Sequence, residues 1–237
     1  MKKIVFSLLC VLIFGVSSCI KDGDNISNHS MFAVVGSSNS MQPTIITEDG
    51  TILAPDLMEY LHFDLFEGDA LIVSFSINYD NQPSTEYYTA SNLIIVNKIG
   101  KSYPIPTSGG ESTESEYFST PIEEVVPYPY LIGNTLFFAF GHTAPIDQEF
   151  EYEMTYDRDE DNEIPTIYLR AKSVSTGSGS ERAVGQYYAF DMYYFFTTHK
   201  DSDNNVKFNI QYKVGVNEDG TGKYNDLDSN PLTIKVN

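Results

Sequence analysis

Tryptophan is absent, cysteine occurs only at Cys10 and Cys19, and 14 basic residues stand against 33 acidic ones. Both cysteines fall in the first nineteen residues, so the rest of the chain carries no thiol. That excludes a cysteine nucleophile, zinc-thiolate and iron–sulfur sites, and a disulfide framework. The core must hold by packing alone. The formal net charge of -19 makes nucleic acid and anionic lipid surfaces poor partners. Metal-ligand spacing is also missing: His29, His62, His142 and His199 are isolated, with no H-x-x-x-H pair among them. Folding could still bring His142 to Asp147. The glycine-rich stretch Gly177 to Gly185 lacks the lysine and the helix that a phosphate loop needs, and reads as a loop before a strand. No grouping of acid, base and nucleophile is visible, so the expectation is a non-enzyme with no cofactor.

Long apolar runs are equally scarce. Ile4 to Phe14 is the one such stretch near the start, and it is shorter than the roughly 20 residues of a spanning helix. Lys2 and Lys3 precede it, and Gly15-Val16-Ser17-Ser18 follows with small residues before Cys19. This is the order of an export leader. Its last four positions, Val16-Ser17-Ser18-Cys19, resemble a bacterial lipobox, with Val16 in place of the more usual leucine. The resemblance implies a signal peptide over 1–18 and lipidation of Cys19, with two or more acyl chains giving stable membrane anchoring. Without Lys2 and Lys3 the body holds 12 bases against 33 acids, a net charge of -21. Asp22 and Asp24 resemble acidic tags that send lipoproteins to the cell surface. The expected location is the outer membrane, with the body at the cell surface or facing the periplasm.

Residues 19–30 read as a flexible tether, and 107–127 as a polar linker between two aromatic, β-rich halves. Alternation of apolar and polar residues dominates both halves, which is the strand period. Leu71, Val73, Phe75, Ile77 and Tyr79 fall on one face, and Asn134–Gly141, Glu149–Tyr156, Thr166–Ala171, Tyr187–Phe196 and Val206–Val214 behave similarly. Turns at Glu48-Asp49-Gly50, Glu67-Gly68-Asp69 and Glu218-Asp219-Gly220 tolerate positive φ. One helical turn is expected around Pro55 to Leu61. The fold class is all-β: a small OB-like barrel over 31–106, closed by a strand at Lys101–Ile105, then an antiparallel β-sandwich over 128–237.

Three stretches carry a resemblance to the NigD-like lipoproteins of the Bacteroidota: Thr44 to Pro55, Phe66 to Phe75, and Asn92 to Ile99. In the second half Asn134 to Gly141, followed by tyrosine-rich strands, is similar to that family's sandwich domain. The resemblance implies the barrel-plus-sandwich order and, by association with a bacteriocin locus, an immunity or envelope-interaction role. It transfers no catalytic or ligand residues.

Two acidic runs imitate the start of a calcium loop. Asp157, Asp159 and Asp161 alternate as in D-x-D-x-D, but the sixth position is Asn162 and the twelfth Tyr168, where an EF-hand has glycine and glutamate. Asp201, Asp203 and Asn205 form a similar partial match, and both runs read more simply as hairpin turns. The adjacent tyrosines Tyr87-Tyr88, Tyr187-Tyr188 and Tyr193-Tyr194 could stack on sugars or peptides. In a strand one of each pair faces the core and its neighbour faces out. The functional expectation is a lipid-anchored binding or immunity-like module with a protein or glycan ligand. A pilus-like structural subunit is the alternative.

Overall fold

A computed structural model describes residues 25–37, 43–55, 63–82, 87–108, 120–158 and 164–236. The chain divides into two compact units, Met1–Ile99 and Gly100–Asn237. Cys19 lies outside the described residues, as do Asp159, Asp161 and residues 56–61 of the expected helical turn.

The first unit is built on β1 (Ile26–Ser37), β2 (Pro43–Thr47), β3 (Ile52–Leu53), β4 (Ala70–Asn78) and the Ala90–Ile99 part of β5 (Ala90–Ser102). β1 serves two partners, pairing with β4 from Ile26 to Val34 and with β2 from Ala33 to Ser37. All ladders here are antiparallel, in the order β3-β2-β1-β4-β5. Leu71, Val73, Phe75 and Ile77 pack with Val35, Ile45 and Leu53 in one core, as their alternation predicts. Tyr79 leaves that face, because a 3-10 turn begins there.

The tight turns use their residues as expected. Gly50 takes φ 82°, and the Asp49 carboxylate accepts from Thr51 N–H at 3.0 Å and Thr47 Oγ at 2.6 Å. The all-β class holds, but the first unit is not closed into a barrel. Only a parallel bridge joins β3 to Tyr88, at Leu53, with Tyr88 N–H donating to Ile52 O at 2.8 Å and Ala54 N–H donating to Tyr88 O at 3.0 Å. The two-residue β3 is too short for more. The start of the unit also differs from the expected tether. Ile26 to Ser30 belong to β1, and His29 stacks on Phe75 at 5.1 Å. Polar side chains hid a strand whose backbone is satisfied by β4.

The second unit contains β6 (Ile105–Thr107), β7 (Glu124–Ile132), β8 (Thr135–Ala144), β9 (Phe150–Asp157), β10 (Thr166–Ser173), β11 (Arg182–Asp191), α1 (Tyr193–His199), β12 (Asn205–Val216), β13 (Gly222–Asp226) and β14 (Leu232–Lys235). The end of β5, Gly100 to Ser102, pairs with β11, which continues to β8 and β7. The other sheet runs β13-β12-β10-β9-β6, with β14 on β12. Both are mixed, since β5/β11, β10/β12 and β6/β9 are parallel. The expected antiparallel sandwich is corrected on this point. Single-strand alternation does not encode the direction of a partner.

Phe138 and Phe140 of one sheet meet Tyr152, Met154, Ile167, Leu169 and Phe208 of the other in one core. Phe140 stacks on Tyr152 at 4.0 Å. Each such large apolar side chain contributes about 1.5–3 kcal/mol on burial. Within the stretch expected as a linker, Thr107 lies in β6, Ile122 is fully buried, and Glu124 opens β7, while residues 109–119 lie outside the described residues. The strand expected at Lys101–Ile105 is instead the end of β5 followed by β6, both paired within the second unit.

Candidate binding cleft

The chain passes from one sheet of the second unit to the other within a few residues. Ser102 pairs with Phe190 in the first, and Ile105 pairs with Thr155 in the second. Tyr103 and Pro104 make the crossing, and Pro104 has no N–H to donate to either ladder. A cleft of about 600 Å³ opens beside this crossing, within the range of small-molecule sites. One wall is Lys101 to Pro104 with Pro106, another is Tyr156 of β9, and the third is Asp191 with Tyr193, Tyr194 and Thr198 of α1.

The third wall depends on a local departure from the strand pattern. Tyr187 to Phe196 was expected as one strand, but β11 ends at Asp191 and α1 begins at Tyr193. Tyr193-Tyr194-Phe195-Phe196 places two consecutive rings outward and two inward, which period two cannot do and a helical turn can. Asp191 Oδ1 accepts from Tyr193 N–H at 3.1 Å, and the Thr197 and Thr198 hydroxyls donate to the carbonyls of Tyr193 and Tyr194. Phe195 packs edge-on to Tyr156 at 5.1 Å and anchors the helix on the core. Both members of the Tyr193-Tyr194 pair are therefore exposed, at 52% and 75%, where one was expected inside.

Tyr103 is 66% exposed, so three exposed tyrosines line the cleft. Tyr193 and Tyr194 stand edge-to-face at 5.4 Å. Asp191 Oδ2 lies 3.9 Å from Lys101 Nζ. Ser102 Oγ is buried and has no hydrogen-bond partner. Burial raises the Tyr156 phenol above its ordinary value, with Arg158 opposing the shift, so this hydroxyl stays protonated. The lining combines aromatic faces, two prolines and few charges, a composition common in ligand sites.

The residues singled out in the sequence are not gathered here. Asp157 ends β9, and among the described residues no group of three or more His, Cys, Asp or Glu is placed to hold a metal ion. Asp201 is engaged by its own turn, accepting from the N–H groups of Asn205 at 2.8 Å and Asp203 at 2.9 Å. Those bonds, that of Asn205 first, hold its carboxyl below the usual range. His142 bonds to Pro121 and Tyr152, while Asp147 accepts from Ser178, so the structure does not pair them. Gly177 is a packing requirement: a Cβ there would sit 2.8 Å from Gln148 N and 2.6 Å from Pro145 Cβ. Sequence reasoning noticed Tyr193-Tyr194 but missed Lys101, Tyr103 and Asp191. The available signal was Tyr103-Pro104-Ile105-Pro106, where two prolines interrupt a strand pattern.

No family model matches the chain, and no curated protein matches it. Among solved structures, an uncharacterized protein from Parabacteroides merdae is 16% identical with a TM-score of 0.69, over 88% of this chain and 99% of that one. A protein from Parabacteroides distasonis described as toxin-related is 14% identical with a TM-score of 0.58, over 88% and 94%. A NigD-like immunity protein from Bacteroides caccae is a more distant likeness, 14% identical with a TM-score of 0.47 over 86% and 94%. The first two share this fold across nearly their whole length, and at such identities the likeness reaches no further than fold.

Proposed function

We propose that this chain is a lipid-anchored, non-enzymatic binding protein of the cell envelope, and that the tyrosine-bordered cleft of its second unit is the binding surface. The observation that carries the reading is the exposure of Tyr103, Tyr193 and Tyr194 around one concavity. Large aromatic rings left in water are costly unless a partner covers them, and tyrosine is enriched where partners bind. Cys19, directly after the 1–18 leader, carries the lipid anchor, with the outer membrane as its location. The NigD-like resemblance of the sequence adds an immunity-like role, in which a protein or glycan is bound and not turned over.

Growing cells fed a clickable palmitate should label the wild-type chain and leave a Cys19→Ser variant unlabelled and unanchored. Protease treatment of intact cells then places the body outside if it is lost and in the periplasm if it survives. Crosslinking in envelope extracts should capture a partner with the wild-type chain and lose it with Tyr193→Ala. Equal capture by both would remove the cleft from the reading.

A pilus-like subunit is the second reading, favoured by Ile94 and Val96 of β5, which are 57% and 58% exposed. Exposed apolar side chains on a strand suit strand addition. Filaments formed by the purified chain, and lost on Ile94→Lys, would establish it.

A further inference from the structure

We infer that the end of the first unit carrying Asn25, Ile26 and Tyr79 sits on a zwitterionic phospholipid surface; the inference rests on Cys19 being the lipidated residue. The tether is short. Because β1 begins at Ile26, only six residues, Cys19 to Asp24, lead from the anchor to Asn25. At no more than about 3.6 Å per residue they reach roughly 20 Å, whatever their conformation. Asn25 therefore stays within that distance of the lipid.

Asn25 is fixed to the unit at this end. Its carbonyl accepts from Tyr79 N–H at 3.0 Å, and its own N–H donates to Asp80 Oδ2 at 3.3 Å. Apolar side chains stand exposed beside it. Ile26 is 43% and Tyr79 40% exposed, and the Tyr79 ring stands edge-on to Tyr88 at 5.7 Å. Ile52, 36% exposed, is joined to them through its carbonyl, which takes the Tyr88 N–H at 2.8 Å. Singly exposed apolar residues are ordinary, but these surround the residue that the anchor holds near the membrane. Tyrosine, with an apolar ring and a polar tip, suits the headgroup region. The contact need not be strong, because a short tether supplies an effective concentration on the order of millimolar.

Other exposed apolar groups of the unit lie farther from the anchor. Ile94 and Val96 belong to β5, where Ile94 pairs with Ser74 in the middle of β4. Phe66, 61% exposed, lies before the opposite end of β4, and the nine residues of that strand put it roughly 30 Å from Tyr79. Charge selects the lipid. Asp22, Asp24 and Asp80 outnumber Lys21 around the tether, so an anionic surface is repelled and a zwitterionic one accepted.

Cys19 is the one thiol after the leader, and tryptophan is absent, so both a tether and a reporter can be placed without ambiguity. The whole chain after the leader is coupled through Cys19 to maleimide lipid in phosphatidylcholine vesicles whose brominated acyl chains quench tryptophan on contact. Tyr79→Trp, Ile94→Trp and Phe66→Trp each report one position. Quenching of Tyr79→Trp should exceed that of the other two about fivefold, since only that ring lies at the lipid interface. Adding Ile26→Asp should reduce it about threefold with the melting temperature unchanged. Phosphatidylglycerol in the vesicles should weaken it. Equal quenching at the three positions, none at Tyr79→Trp, or stronger quenching with phosphatidylglycerol overturns the inference. A blue shift of Tyr79→Trp without quenching, rising with the density of coupled chain, assigns the patch to a second copy and also overturns it. Palmitate labelling of Cys19 in cells checks the anchor separately. Its absence removes anchor and seat together, whereas labelling with equal quenching removes the seat alone.

Discussion

The imidazole of His142 and the phenol of Tyr152 meet at 2.9 Å inside the core of the second unit. His142 is 2% exposed and stacks on Phe150 at 4.0 Å, while its other nitrogen lies 2.9 Å from the Pro121 carbonyl. A carbonyl only accepts, so Nδ1 carries the proton and donates to it, while the single Tyr152 hydroxyl proton lies between Nε2 and Gln186 Oε1, the latter 3.3 Å away. Burial lowers the imidazole pKa below the ordinary 6.5, against smaller opposing effects of the Pro121 bond and of Glu123.

The sign of the pH dependence follows. A histidine whose folded pKa is depressed takes up its proton in the unfolded state first, so stability is complete above about 6.5 and falls as the pH drops toward the folded value. Urea midpoints between pH 8 and pH 5 should show this decline. His142→Phe should flatten that part of the profile, though carboxylates elsewhere still act below it.

Arg170 and Glu153 form a second buried pair, with Arg170 fully buried and its guanidinium 3.3 Å from Glu153 Oε1. The same guanidinium donates to Thr155 Oγ at 2.6 Å and to the Tyr224 hydroxyl at 2.6 Å. Glu153→Leu removes the neutralising partner from a buried charge and should cost about 3–5 kcal/mol. Adding Arg170→Met should recover most of that loss. A double-mutant cycle on denaturant midpoints measures both, and additive losses would contradict the pairing.

Gly177→Ala brings a methyl group against backbone at Gln148 N and against Pro145. Neither neighbour is the free end of a long side chain. The expected loss is about 1–3 kcal/mol, read as a lowered melting temperature. Gly179→Ala meets no such neighbour, but its φ of 92° also disfavours alanine, so the cleaner control is Ser180→Ala on the same loop.

The bridge between Leu53 and Tyr88 is the join between β3 and the residues before β5. Its two amides, Tyr88 N–H and Ala54 N–H, should exchange with solvent far more slowly than exposed loop amides. Tyr88→Pro deletes one donor and should release protection at Ala54 as well. Independent behaviour of the two amides would show that they do not form one structural unit.

The strands that sequence reading found are those whose partners leave a period-two imprint. Leu71, Val73, Phe75 and Ile77 bury one face of β4, and hydrophobic alternation records that directly. Two elements escaped for opposite reasons. Ile26 to Ser30 looked too polar for a strand, although β4 satisfies its backbone. Tyr193 to Phe196 looked ideal for a strand, because aromatic propensity outweighed a two-out, two-in pattern that only a helical turn satisfies. The cleft was legible only at Tyr193-Tyr194, since its walls come from residues 101–106, 156 and 191–198. No local window holds all three.

What the amino-acid order alone determined is local: the all-β character, the glycine and aspartate turns, and a body without thiol chemistry beyond Cys19. These depend on the backbone preferences and alternation of neighbouring residues, or on simple absence. Tertiary structure decided the rest. It left the first unit short of a closed barrel, set β10 parallel to β12, and lowered the pKa of His142 by burial. It also set Tyr103 beside Tyr193 around one cleft. Strand direction, burial and convergence arise from contacts between residues far apart in the chain, and the packing that selects them exists only when both partners are in place.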